Sequence, residues 1–216
     1  MPLLKRPLFA VFLILFLGIL VYSNTFHVPF VFDDDGSIIN NPDIRDISGF
    51  IAAALGFGVF PSRVVGYLTF ALNYRFGGLD VTGYHVLNLA IHLANALLVY
   101  ALVRLTFRTP HLAGSQLAPR AGTVALLCAL LFVVHPVQTQ AVTYVVQRLT
   151  SLATFFYLLA VVLYAAGRLR IEDGRKGAED GERREEWGAW RRGLPWLAGA
   201  PKSGSTPQIR PSRTSR

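Results

Sequence analysis

Four apolar segments constrain the fold of this chain more than any other feature of its sequence. A helix that crosses a bilayer needs about 20 predominantly apolar residues. Residues 7–23, 84–106, 121–135 and 149–167 approach or reach that length without an acidic side chain. The composition agrees, since only 16% of residues are charged, against about 25% in a typical soluble domain. The sequence therefore predicts an all-α membrane protein with about four transmembrane helices, and excludes an ordinary soluble enzyme.

The positions of Lys and Arg predict how these helices are oriented, because cytoplasmic loops carry an excess of both. One side of the four-span arrangement holds the denser set of cations, which continues into the C-terminal tail. We therefore expect both termini to be cytoplasmic and residues 24–83 to form an outer loop. The net charge of +8 then reflects this bias, so nucleic acid is not an expected partner. The denser set comprises Lys5, Arg6, Arg104, Arg108, Arg120, Arg168 and Arg170.

The outer loop and the C-terminal tail differ in kind. Residues 47–60 are apolar but too short to cross, and residues 63–76 are amphipathic, so we expect juxtamembrane helices within the loop. Residues 1–170 are interpreted as one membrane domain. Residues 171–216 are rich in Gly, Arg, Glu, Ser and Pro and have no apolar period. They are predicted to be a disordered, basic cytoplasmic tail.

An acidic cluster, Asp33-Asp34-Asp35, follows the first apolar segment by about ten residues. Adjacent carboxylates repel one another, which raises at least one pKa and suits a general base for a hydroxyl acceptor. The alternative is a solvated acidic turn. Such a cluster is also compatible with a divalent cation, but the sequence indicates no metal ligands and leaves any cofactor unknown.

Polar residues form a stripe on the second apolar segment. His85, Asn88, His92 and Asn95 recur at offsets of 0, 3, 7 and 10, which places them on one helix face. Polar groups at membrane depth face protein or a wet cavity. The stripe either lines a substrate cavity or joins helices by hydrogen bonds. The second interpretation is favoured for His92 and Asn95, and both remain open for His85 and Asn88, nearer the outer mouth.

A third polar segment, from His135 to Arg148, joins the last two apolar segments on the outer side. Its amides include Gln138 and Gln140. An arginine at an outer membrane boundary suits an anionic headgroup or phosphate. The alternative is that Arg148 snorkels and anchors the fourth span.

These segments together resemble a known family. Pro29–Asp34 with Asn41–Arg45, Leu68–Tyr74, Gly77–Leu79, Tyr84–Asn88 and His135–Arg148 are similar, in this order, to motifs of the transmembrane and tetratricopeptide-repeat O-mannosyltransferase-like proteins. That family belongs to the GT-C superfamily of glycosyltransferases. The resemblance covers about residues 8–170.

The resemblance implies a chemistry and assigns residues to it. Members resemble enzymes that move a sugar from a polyprenyl-phosphate carrier to a protein or glycan acceptor on the non-cytoplasmic side, with inversion. A loop aspartate acts as the general base, and stabilising the departing phosphate is the main electrostatic task. The catalytic pair carried over is Asp33, the first choice for the base, and Asp34. The substrate-binding set carried over is Arg148, His135, Arg63, Gln138, Gln140, His85 and Asn88.

The chain also departs from the family. Members have roughly ten spans, commonly followed by tetratricopeptide repeats, whereas this sequence has about four spans and no 34-residue repeat. The family's Arg-Pro is here Arg63-Val64, and its frequent His and Glu are Gln138 and Gln140, which removes titratable groups. Our hypothesis is the N-terminal part of a longer transferase, truncated or frame-shifted, and whether it is active or inactive alone stays open.

The polar stripe also permits a function without catalysis. One alternative is a non-enzymatic, polytopic assembly module that binds partner membrane proteins through the polar stripe. A small transporter fragment is disfavoured, because the sequence shows no broken-helix pair and no intramembrane charge on a pathway. The expected location is multi-pass in a bacterial inner membrane, or in the endoplasmic reticulum membrane if the source is eukaryotic.

Overall fold

Helices make up all the regular structure in a computed structural model that describes residues 7–55 and 63–193. Between the helices, short 3₁₀ turns and one π-helical turn, Asp35–Ile39, complete the backbone of these ranges. The predicted all-α class is thus confirmed. The α-helices are α1 (Pro7–Val21), α2 (Ile47–Leu55), α3 (Val64–Gly77), α4 (Val81–Thr106), α5 (Pro110–Ala113), α6 (Ala121–Val134), α7 (Thr139–Thr143) and α8 (Arg148–Gly193).

The lengths of the apolar helices support a membrane protein. In the described ranges, α4 and the helical stretch Val145–Gly188 are each long and apolar enough to cross a bilayer alone. Ala118–Val134 reaches that length together with Pro136–Thr143, across a bend of 53°. The helix α1 is apolar but has only 15 residues. Four predicted spans therefore correspond to two full-length helices, one bent pair and one short helix.

The bend at His135 corrects the expectation that the chain lacks a broken helix. His135 is extended, with φ −65° and ψ 129°. Pro136 follows it, and proline both disfavours a helical residue before it and lacks a backbone N–H. The His135 side chain accepts a hydrogen bond from the backbone N–H of Val137. The chain thus leaves α6 and starts a new helical turn in a different direction.

The first core joins α1, α4 and α6. Helices approach closely in membranes where small residues lie at the contact, and Gly18 is such a residue. A methyl group added at Gly18 would collide with the Leu93 side chain and come within 3.3 Å of that of Val133. The buried members of this core are Ala10, Ile14, Tyr22, Leu89, Leu93, Ala96, Tyr100, Ala125, Leu126, Ala129, Val133 and Val142.

The second core lies within the long connection between α1 and α4. It joins α2 and α3 to the start of α4 and to the turn before α8, so the predicted outer loop is a packed structure with its own apolar interior. The predicted helix over residues 47–60 is observed as α2, and its last residues lie outside the described ranges. The buried members are Ile38, Ile44, Phe50, Tyr67, Phe70, Ala71, Tyr84 and Val145.

The predicted disorder from residue 171 onward is wrong for residues 171–193, which continue α8. This segment is rich in Arg and Glu, which favour helices. The pairs Arg175–Glu179 and Asp180–Arg183, both at 3.7 Å, add to its stability as exposed ion pairs one turn apart. Residues 194–216, and the cations Lys5 and Arg6 used to orient the first span, lie outside the described residues. Within the described residues, two compact units meet at the boundary between residues 169 and 170.

The packing of Gly18 generates a first prediction. Gly18→Val forces a branched side chain against Leu93 and Val133, and overpacking of this kind costs about 1–3 kcal/mol. We expect a loss of that size in the free energy of unfolding, measured by denaturant titration in detergent micelles. The matched control is Gly122→Val in α6, where an added methyl group meets no atom within 4 Å. Equal losses in both variants would contradict the close approach of α1 to α4 and α6.

Candidate functional site

The acidic cluster lies at an irregular point of the backbone. Phe32 has a φ of 51°, a left-handed conformation that is rare for a bulky side chain and often marks functional sites. Directly after it, Asp33 is exposed whereas Asp34 is 0% exposed. The two neighbouring carboxylates therefore occupy opposite environments, one exposed and one buried. Their adjacency in the sequence does not predict this difference.

Asp34 ties the long connection to the segment just before α8. Its Oδ1 accepts a hydrogen bond of 2.8 Å from the Val146 N–H, and its Oδ2 accepts one of 3.1 Å from the Val31 N–H. Burial raises the pKa of Asp34 above its usual value, although these hydrogen bonds oppose the rise. The buried carboxylate thus acts as a clamp between two segments more than 110 residues apart.

Asp33 instead lines a cavity of about 830 Å³, here called the loop cavity. Its backbone N–H donates a hydrogen bond of 3.2 Å to the Tyr144 hydroxyl, which holds the residue at the rim. Arg63 lines the same cavity and is exposed, so one acidic and one basic side chain share this space. The complete lining is Phe32, Asp33, Gly36, Ser37, Arg63, Val146, Gln147, Leu149, Thr150 and Ala153.

The four residues of the polar stripe are at most 2% exposed and contact neighbouring segments of the chain. His85 Nε2 lies 2.8 Å from the Val28 carbonyl oxygen. Asn88 Nδ2 lies 3.3–3.4 Å from three carbonyl oxygens between residues 142 and 145. His92 and Asn95 contact the carbonyls of Val133 and Ser151. The stripe therefore joins segments, and neither His85 nor Asn88 lines the loop cavity.

Arg148 is the largest fully buried side chain among the described residues, at 0% exposure. It donates four hydrogen bonds, all to uncharged acceptors on α3 and α4, and a guanidinium has five N–H groups in total. Its Cζ also lies 4.7 Å and 5.6 Å from the ring centroids of Phe70 and Tyr84. The acceptors are Asn88 Oδ1 at 2.7 Å, Asn73 Oδ1 at 2.7 Å, Thr69 Oγ1 at 3.2 Å and the Tyr84 carbonyl oxygen at 2.9 Å.

This geometry makes Arg148 a positioning residue that joins α3, α4 and the start of α8. With four N–H groups bound inside the chain, direct contact with a lipid phosphate remains a prediction. The sequence analysis did not identify its partners Thr69 and Asn73, although their spacing of four residues places both on one face of α3.

Gln138 and Gln140 line a second cavity of about 230 Å³, here called the amide cavity. Gln147 and Thr150 line both cavities, so the two share a wall. His135 is exposed and caps the turn after α6, outside the residues that line either cavity. The complete lining is His92, Asn95, Phe132, Val137, Gln138, Gln140, Ala141, Gln147, Thr150, Ser151 and Thr154.

Metal binding finds no support in the part of the chain that the structure describes. No group of three or more His, Cys, Asp or Glu side chains there converges to hold an ion. The geometry of the described residues offers one exposed carboxylate, one exposed guanidinium and a set of amides and hydroxyls around two adjoining cavities.

A helical membrane protein with a packed loop and an exposed carboxylate at a polar cavity is the class that these features define. Comparison with known proteins narrows the class. The chain is 32% identical over 178 residues to protein O-mannosyl-transferase TMTC4 of Mus musculus, which covers 76% of this chain and 24% of that protein. It is 36% identical over 165 residues to protein O-mannosyl-transferase Tmtc3 of Drosophila melanogaster (68% and 18%). It is 33% identical over 159 residues to protein O-mannosyl-transferase tmtc2 of Xenopus laevis (68% and 18%).

These similarities place the chain in the protein O-mannosyltransferase-like family, which confirms the resemblance seen in its motifs. The chain spans about a quarter or less of the length of these curated relatives. No protein-family model and no solved structure matches it.

The burial of Asp34 generates a prediction about pH. Because its pKa is raised in the fold, its contribution to stability is present below the usual carboxyl pKa and is lost as pH rises through the raised value. Relative to Asp34→Asn, the wild type should therefore lose unfolding free energy as pH rises above the usual carboxyl pKa. Thermal unfolding in detergent at a series of pH values measures this difference.

The matched control is Asp35→Asn, which removes the same charge from an exposed neighbour. Its difference from the wild type should change much less with pH. If the wild type instead gains stability over Asp34→Asn as pH rises, the hydrogen bonds from Val31 and Val146 outweigh burial, and the account of Asp34 is wrong.

Proposed function

We propose that this chain forms the loop-bearing part of a membrane glycosyltransferase. The enzyme would transfer a sugar from a polyprenyl-phosphate carrier to a hydroxyl group of a protein or glycan on the non-cytoplasmic face. Its relatives are named protein O-mannosyl-transferases. The observation that carries the proposal for this chain is the exposed Asp33 carboxylate, which lines a cavity with Arg63 directly after the strained Phe32.

The proposed step needs one base and one cation. The acceptor oxygen attacks the anomeric carbon of the sugar while its proton passes to Asp33. The bond between that carbon and the phosphate oxygen breaks, and the lipid phosphate leaves with the electron pair. Arg63, on the same cavity, stabilises the negative charge of the departing phosphate.

The remaining predicted site residues receive supporting roles in this proposal. Asp34 and Arg148 position the loop against α4 and α8. His85 and Asn88 do not line the loop cavity and support the same arrangement through their hydrogen bonds to backbone carbonyls. Gln138 and Gln140 face the adjoining amide cavity. His135 shapes the bend that carries them.

The proposed arrangement in the membrane follows the distribution of Lys and Arg. The chain is multi-pass, with a membrane domain over residues 1–170, and both termini are cytoplasmic. The connection between α1 and α4 then lies on the opposite face. The membrane is the bacterial inner membrane, or that of the endoplasmic reticulum for a eukaryotic source.

The alternative of an assembly module is weaker for a specific reason. It relies on the polar stripe to bind partner membrane proteins, whereas all four stripe residues are at most 2% exposed and bonded within the chain. A partner would have to displace the hydrogen bonds that hold α4 to its neighbours.

Substitution of Asp33 tests the proposed reaction. Membranes from cells that express the full chain are supplied with polyprenyl phosphate carrying radiolabelled mannose, and label transferred to protein is counted. Loss of a general base typically costs 10²–10⁴-fold in rate, so Asp33→Asn should lower transfer by at least about 100-fold. The matched control Asp35→Asn removes a neighbouring exposed charge outside the cavity lining and should retain near wild-type transfer.

Two outcomes would contradict the proposal. Transfer that survives Asp33→Asn would remove Asp33 as the base. Wild-type transfer no higher than that of membranes lacking the chain would contradict the enzymatic function and favour an assembly module.

A further inference from the structure

The amide cavity has a chemical character of its own. Of the described residues that line it, none is Asp, Glu, Lys or Arg, whereas the loop cavity contains both Asp33 and Arg63. Amides and hydroxyls supply both donors and acceptors without net charge. Such a lining suits a neutral ligand with many hydroxyl groups and disfavours an anion.

Asn95 provides the observation that points to a ligand. Its Nδ2 donates a hydrogen bond of 3.0 Å to the Ser151 carbonyl oxygen, which fixes the orientation of the amide. Its Oδ1 is buried and has no hydrogen-bond partner among the described residues, and Asn95 is one of the residues that line the cavity. A buried unsatisfied acceptor costs about 1–3 kcal/mol. A hydroxyl donor that enters the cavity can recover that free energy.

The size and the walls of the cavity indicate the kind of hydroxyl compound. Its volume of about 230 Å³ is several times the ~30 Å³ that one water molecule occupies in the liquid. The Phe132 ring stacks on the His92 ring at a centroid distance of 5.1 Å, and both residues line the cavity. A saturated ring with polar edges and an apolar face matches these walls.

We propose that the amide cavity is a subsite for the sugar ring, distinct from the charged loop cavity in which the proton and the phosphate charge are handled. Gln147 and Thr150, which line both cavities, form the shared wall across which the sugar meets the reacting groups. This inference rests on the proposed function for the identity of the sugar. It extends that function by assigning ring recognition to Asn95 and its neighbours.

Protection of engineered cysteines tests the subsite without any transfer reaction. The full chain is prepared in nanodiscs with Cys128→Ser, because Cys128 is exposed and would react. Ala141→Cys reports on the amide cavity, and Ala153→Cys is the matched reporter in the loop cavity. Each is treated with a small thiosulfonate reagent, with and without methyl α-mannopyranoside or inorganic phosphate.

The subsite predicts a specific pattern. The mannoside should slow labelling of Ala141→Cys at least threefold more than that of Ala153→Cys, and phosphate should not protect Ala141→Cys. Asn95→Leu should abolish the protection. Because Asn95→Leu also loses the bond to Ser151 and risks misfolding, Thr154→Val is a second variant; it removes one hydroxyl at nearly constant volume and should weaken the protection.

Three results would overturn the subsite. The first is that the mannoside, up to its solubility limit, does not protect Ala141→Cys from labelling. The second is that phosphate protects Ala141→Cys equally well. The third is full protection in a folded protein that also carries Asn95→Leu or Thr154→Val. The result is independent of the transfer assay. Mannoside protection together with absent transfer would retain the sugar site and reject the glycosyltransferase proposal, whereas transfer without protection would reject only the subsite.

Discussion

The buried guanidinium of Arg148 is the interaction on which the arrangement around the cavities depends. A charge removed from water is costly unless its hydrogen bonds are satisfied. Here the cost is offset by four acceptors and two aromatic rings drawn from α3 and α4. These groups satisfy the cation only when α3, α4 and the first turn of α8 are in register, so the side chain selects one arrangement of the three helices.

A second set of contacts connects this arrangement to the acidic loop. Asn88 accepts from Arg148 through its Oδ1 and directs its Nδ2 at the carbonyl oxygens before α8. Asp34 accepts from the Val146 N–H in the same segment. The backbone of residues 142–146 is therefore held from both sides. With Asp34 fixed inward, the positive φ of Phe32 leaves Asp33 exposed at the loop cavity.

The sequence allows the helical membrane class and the positions of α4, α6 and the first part of α8 to be predicted, because apolar length and the absence of charge are local signals. The interior of the long connection is not local. The hydrogen bonds of Asn88 and Asp34 join residues separated by 54 and 112 positions. For that reason sequence reasoning treated Asp33 and Asp34 as one pair and assigned Arg148 to the membrane boundary. The helix over residues 171–193 is not predicted, because the composition of residues 171–216 and their lack of an apolar period indicate disorder, whereas Arg and Glu within residues 171–193 favour helix.

Arg148 and Asn88 act as one unit that holds the loop against the helices. A double-mutant cycle measures this directly, with the free energy of unfolding in detergent determined for the wild type, Arg148→Met, Asn88→Leu and the double variant. Residues joined in one buried network show coupling energies of about 0.5–3 kcal/mol. We expect coupling of at least about 1 kcal/mol, with the double variant less destabilised than the sum of the single variants. Additive losses would show that the two side chains stabilise the fold independently and do not act as one unit.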